Sequence, residues 1–195
     1  MSGSHEASRR QAGRCVPGVM KRRAVFLDRD GVLNRTLVRD GRPRSPSSLE
    51  EVKILPGVQN ACFRLRRHGF LLVIATNQPD VARGLVDRKT VQDIDAFLGS
   101  RIPLDDVRVC YHDDRDGCDC RKPKPGMLLT AALDWDIDLA GSFMVGDRWR
   151  DVEAGRRAGC KTVFIDHNYS EQRPSGMNFE TDSLAAAADW ILRSG

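Results

Sequence analysis

The sequence predicts an α/β fold in three layers, a parallel sheet with helices on both faces. Three observations carry that expectation. Short, largely apolar runs alternate with amphipathic stretches from residue 22 onward, and such runs fit parallel strands covered on both sides. The β-α-β alternation, with right-handed crossovers, winds such strands into one doubly wound sheet. With 195 residues and 41% hydrophobic content, the chain suffices for one well-cored domain, and a second would be cramped.

Residues 1–20 are Gly/Ser-rich and aperiodic, with Arg9, Arg10 and Arg14, and read as a disordered leader before a single domain at 21–195. "AVFL" (24–27) is the first strand. A flap, "GVLNRTLVRDGRPRSPSSLEEVKILPG", follows it, and Pro56-Gly57 opens "VQNACFRLRRHG". There Val58, Ala61, Cys62 and Leu65 share one face, and Gly69 ends the helix. "FLLVIA" (70–75) is the second strand. Asp87 can cap "RKTVQDIDAFLGS", in which Val91, Ile94 and Leu98 form one stripe. "VRVCY" (107–111), "SFMV" (142–145) and "TVFI" (162–165) are the remaining strands. Pro125 starts "GMLLTAALDW", "WRDVEAGRRAG" follows the fourth strand, and "DSLAAAADWILRS" closes the chain. No insertion is long enough for a large cap domain.

No apolar stretch approaches the roughly 20 residues that span a bilayer, and the basic N-terminus lacks the apolar run of a secretory signal. We therefore expect a soluble, cytoplasmic monomer with no membrane partner. The net charge of +4 is spread among interspersed charges of both signs. The basic residues form no continuous stripe, which argues against a nucleic-acid partner. Of the six cysteines, Cys62 and Cys160 lie in apolar-periodic segments as core residues, and Cys15 lies in the leader.

In doubly wound sheets ligands bind outside the carboxyl ends of the strands, so those ends are where chemistry is sought. The first strand runs into "VFLDRDG". Asp28 and Asp30 are two apart, and in extended backbone they point the same way. Two such carboxylates need a shared cation or a proton on one of them; magnesium, which favours oxygen ligands, meets the first need. The second strand ends in Thr76 and Asn77, a hydroxyl and an amide suited to phosphate oxygens. The fourth ends "GDRWRD", adding Asp147 to the cation site, with Asp151 one helical turn on. Lys122, in "RKPKPG", is a fixed charge able to hold a phosphoryl group beside a nucleophilic carboxylate.

Cys110-x-His112-x5-Cys118-x-Cys120 offers four ligands of the types zinc accepts in tetrahedral geometry. Four protein ligands leave no open position, which makes the zinc structural. Arg121 and Lys122 follow directly, so the metal fixes two cations at the phosphate site. Asp113, Asp114 and Asp116 within that loop read as solvated.

"DRDG", a strand-terminal Thr-Asn, a Lys-Pro and "GDxxxD", in that order and on those strands, resemble the haloacid dehalogenase (HAD) superfamily over roughly residues 22–193. The resemblance implies its Rossmann-like fold and magnesium-dependent hydrolysis of a phosphomonoester. It implies that Asp28 is the nucleophile, forming an aspartyl phosphate, and that Asp30 is the general acid and base, with a raised pKa. "CDCRKPKPGMLL" and "NQPDVARG" are similar to a zinc-containing branch acting on heptose bisphosphates and histidinol phosphate. That likeness implies substrate contacts from Arg83 and Arg121 and a small phosphorylated sugar as substrate. The five-residue spacer before Cys118, Pro79-Asp80 and Arg148 depart from the heptose enzymes' pattern. Of Arg35, Arg39, Arg42 and Arg44 in the flap, most are expected to face solvent. Histidinol phosphate is the rival substrate, and a zinc-containing nucleic-acid-binding module is the non-enzymatic alternative.

Overall fold

In the computed structural model, residues 21–39 and 42–194 are described; the leader and Cys15 lie outside them. The six-stranded sheet has the order β5-β4-β1-β6-β7-β8 and is parallel throughout. Its strands are β1 (Ala24–Leu27), β4 (Leu71–Asn77), β5 (Asp106–Cys110), β6 (Phe143–Gly146), β7 (Lys161–Ile165) and β8 (Phe179–Thr181). A separate hairpin, β2 (Leu37–Arg39) with β3 (Arg42–Arg44), lies within the flap. The helices are α1 (Val58–Arg67), α2 (Arg88–Arg101), α3 (Gly126–Trp135), α4 (Trp149–Ala158) and α5 (Leu184–Ser194).

The alternation of β1 side chains builds the three layers. Val25 and Leu27 join a core with Val58 and Leu65 of α1, Ile94 and Leu98 of α2, and Leu184 and Ile191 of α5. Ala24 and Phe26 point the other way, to Met127, Leu128 and Ala131 of α3 and Ala158 of α4. All four β1 residues are fully buried, and each large apolar side chain so placed stabilises by about 1.5–3 kcal/mol. Cys62 and Cys160 are buried in these cores, their thiols pushed up to about 12 by burial.

The α/β class and all five expected helices are present. Three details differ. β8 was not foreseen: three residues are too few to show a period, and the strand is set by stacking of Phe179 on Trp190 at 5.1 Å and by pairing with β7. The third expected strand is not covered on both faces. As β5 it lies at the sheet edge and is half-buried, with Arg108 paired to Asp106 and Asp134. Asp87 stands at the N-cap of α2 without a side-chain capping bond. Among the described residues, only the hairpin, a 3-10 turn and α1 lie between β1 and β4, so no large cap domain is inserted there. Among the described residues, no helix is long and apolar enough to cross a membrane.

Candidate active site

β1, β4 and β6 lie side by side, so Asp28, Thr76 and Asp147 meet at one sheet edge. Register aligns Leu27 with both Ile74 and Val145, and the Asp28 N–H bonds the Val145 carbonyl at 2.9 Å. A cavity of about 400 Å³ opens there.

Carboxylate oxygens of Asp28, Asp147 and Asp151 lie within 4.8 Å of one another. Lys122, 2% exposed, reaches between them with Nζ 2.8 Å from Asp28 Oδ1 and 2.5 Å from Asp151 Oδ1. Asn77 fixes that lysine: its amide donates to the Lys122 carbonyl at 3.0 Å, and its Oδ1 accepts from the Lys122 N–H at 3.1 Å. Expected as a phosphate donor, the Asn77 side chain is thus occupied in holding the lysine backbone.

Asp147 is buried, and neither of its oxygens has a hydrogen-bond partner among the described residues. The Tyr169 hydroxyl is near enough to influence its charge but outside hydrogen-bonding geometry. Burial, then the charges of Asp28 and Asp151, raise Asp147 well above the ordinary carboxyl range. Burial also raises Asp28 to about 6 despite Lys122, with Asp151 and Asp30 adding to the rise. Orphaned buried oxygens facing two further carboxylates are costly, and a divalent ion preferring oxygen ligands relieves both problems. The cluster therefore fits magnesium.

Asp30 does not join that cluster. The strand ends at Leu27, so side chains no longer alternate, and the Asp30 carboxylate turns to Arg29 (2.9 and 3.2 Å), Asn34 (2.9 Å) and Gln78 (2.9 Å). Asp151, not Asp30, supplies the third carboxylate. In the free protein the Asp30 carboxyl is not raised. Burial alone would raise it, but the Arg29 guanidinium and its hydrogen bonds hold it below its usual value. Arg29, fully buried, reaches on to Asp95 of α2 at 3.1 Å. Gln78 also bonds the Thr76 hydroxyl at 2.9 Å.

The zinc ligands converge as their spacing suggests. Sγ–Sγ separations are 3.7, 3.3 and 3.4 Å, and His112 Nδ1 stands 3.7 Å from Cys110 Sγ and 3.3 Å from Cys120 Sγ. Edges of a tetrahedron with Zn–S bonds of about 2.3 Å run to about 3.8 Å, so the donor set fits zinc.

Arg83 and Arg121 line the cavity, as does Arg44 of the flap, whereas Arg35 is exposed and does not; the Arg39 and Arg42 side chains lie outside the described residues. Arg148 and Arg150 line it too. Arg148 is clamped by Glu171 at 2.9 and 2.5 Å. The loop acids are not merely solvated: Asp113 pairs with Arg83, and Asp114 with Arg121 and Arg150. Sequence reasoning missed Arg29, Gln78, Arg150 and Glu171. Arg29, as the charged residue inside "DRDG", carried a signal; Glu171, in a loop without pattern, carried none.

Residues 119–187 match the HAD-hydrolase-like family model. The chain is 40% identical to the D-glycero-beta-D-manno-heptose-1,7-bisphosphate 7-phosphatase of Bordetella bronchiseptica, over 87% of this chain and 97% of that one. It is 35% identical to the enzyme of the same name from Pseudomonas aeruginosa, over 89% and 100%. A crystal structure of the B. bronchiseptica D,D-heptose 1,7-bisphosphate phosphatase, complexed with magnesium and phosphate, superposes with a TM-score of 0.76 at 35% identity, covering 89% and 99%.

Proposed function

Because the chain belongs to the HAD-like hydrolases, in the family of the heptose-bisphosphate phosphatases, we propose that it hydrolyses the 7-phosphate of D-glycero-D-manno-heptose 1,7-bisphosphate. Such a reaction serves the supply of nucleotide-activated heptose. The observation that carries the reading is the Lys122 ammonium seated between Asp28 and Asp151, beside the unpartnered Asp147.

Asp28 is the nucleophile. Its carboxylate oxygen attacks phosphorus, the phosphorus–sugar oxygen bond breaks, and an aspartyl phosphate forms, which water then hydrolyses. Asp28, Asp147 and Asp151 would hold magnesium, the Asp30 carboxylate being committed to Arg29, Asn34 and Gln78. When bound, magnesium offsets the charge of phosphate and carboxylate. Lys122 draws the phosphoryl oxygens and Asp28 together, and the Thr76 hydroxyl faces the same oxygens. Asp30 is the acid and base. Arg29 keeps it ionised in the free protein, so the dianionic phosphate must raise its pKa before it can donate a proton to the leaving oxygen. Arg83 and Arg121 receive the second phosphate, and Asn77 acts through Lys122. Zinc is structural, held by Cys110, His112, Cys118 and Cys120.

We read the protein as a cytoplasmic monomer with no nucleic-acid or membrane partner. Thiols kept for a metal suit a reducing compartment. Of the large exposed apolar side chains among the described residues, only Leu129 and Leu133 share an element, α3, while Leu49, Phe63 and Leu85 lie apart, unlike a standard interface. A magnesium-supported phosphate-release screen tests the substrate, using both anomers of heptose 1,7-bisphosphate, fructose 1,6-bisphosphate and histidinol phosphate. The heptose bisphosphate is expected to show the highest kcat/KM; a higher value for histidinol phosphate would refute the assignment.

A further inference from the structure

The zinc ligands need only a loop; they do not explain why its spacer is short and acidic. Residues 113–117 fold into a single 3-10 turn, Asp114–Asp116. Asp116 accepts from the Asp113 N–H at 2.7 Å, Asp113 accepts from the Arg115 N–H at 3.4 Å, and Gly117 at φ 61 leads back to Cys118. With zinc at both ends and this closure between, the spacer has one shape.

That shape presents two carboxylates to arginines of three different elements. Asp114 Oδ1 accepts from Arg121 Nε at 2.8 Å and from Arg150 Nη1, on α4, at 2.8 Å. Asp113 takes the Arg83 guanidinium, from the loop after β4, which also bonds Asp80 at 3.1 Å. Arg121 is further held by the His112 carbonyl at 3.2 Å. All three arginines line the same cavity.

Two guanidiniums beside one another repel, and without Asp114 they would separate. With it, the trio keeps a net positive charge and spare N–H donors. The Asp114 side chain is 51% exposed, so these pairs add little to stability. Their effect is on placement.

We propose that Asp113 and Asp114 are positioning residues for substrate selection: they hold Arg83, Arg121 and Arg150 at the spacing that receives the second, non-reacting phosphate. This rests on the bisphosphate reading above. It gives the short spacer a role in specificity, separate from zinc binding.

The test compares wild type with Asp114→Asn and with Asp113→Asn/Asp114→Asn, each zinc-loaded. Heptose 1,7-bisphosphate and p-nitrophenyl phosphate are the two substrates, and the readout is the ratio of their kcat/KM values. Loss of a charge-assisted contact network should lower that ratio about tenfold, mainly through a higher KM for the bisphosphate. In parallel, the guanidinium Nε–H signals of Arg83 and Arg121, followed by NMR, should lose their protection from exchange. An unchanged ratio, an equal fall for both substrates, or Nε–H signals that persist in the double variant each overturn the proposal. Zinc content and melting temperature separate a folding defect from a positioning one. Wild type lacking any preference for the bisphosphate refutes the substrate assignment instead, and the NMR arm then decides the positioning alone.

Discussion

Gly31 lacks a side chain because Asp147 already fills the space. A Cβ there would stand 1.8 Å from Asp147 Oδ2, and the φ of +94° is unfavourable for other residues. Gly31→Ala should therefore displace Asp147, and a misplacement of that order costs about a hundredfold in turnover. Phosphate release measures the loss, and the variant should also lose stabilisation by magnesium. Retention of both would mean that Asp147 is not held by this contact. Asp28 supplies a second test at this scale. Its folded-state pKa is raised from 3.8 to about 6 by burial, so the metal-free fold binds a proton that the unfolded chain has already released. That contribution is full below about pH 4 and is lost as pH rises through about 6. Magnesium takes the proton's place, so the rise in melting temperature on adding it should grow between about pH 5 and pH 7. A rise independent of pH would contradict a protonated Asp28. Asp28 and Asp147 were legible because each follows an apolar run, and Lys122 because it is the cation of "RKPKPG" directly after the Cys/His cluster. The orientation of Asp30 was not, since alternation applies only within a strand, and β1 stops one residue before Asp28.

Among the elements, the "DRDG" turn and α2 are joined by Arg29, which is fully buried and bonded to Asp30 and Asp95. Arg29→Met leaves two carboxylates, 9% and 8% exposed, without their cation. Such a change costs about 3–5 kcal/mol, measurable by urea unfolding. A loss below about 1 kcal/mol would show that the acids are neutral in the fold. The zinc loop gives the complementary test. Stripping zinc, or Cys118→Ser, should lower the melting temperature, because a closed four-ligand site contributes folding energy. An unchanged melting curve after complete zinc removal would show that the loop stands without its metal. The ligand set could be read from spacing alone. Which arginines the loop collects could not, because Arg83, Arg121 and Arg150 belong to elements that only the tertiary fold brings together.

For the whole molecule, the class and helices followed from periodicity, but the order β5-β4-β1-β6-β7-β8 is a property of crossovers that no local pattern encodes. The fourth strand that the sequence predicts, β6, pairs with the first, and that pairing creates the site. The same arrangement separates the two metals in time. All four zinc donors fall between Cys110 and Cys120, so they are neighbours before any sheet exists, and closing so short a loop is fast. Asp28 and Asp147 come together only after β1 has waited for β6, a contact across most of the chain of the kind that forms slowly. On the ribosome, zinc can enter once Cys120 has emerged, whereas magnesium finds its ligands only after Asp151 has followed. One ion needs a short stretch of chain; the other needs most of the sheet.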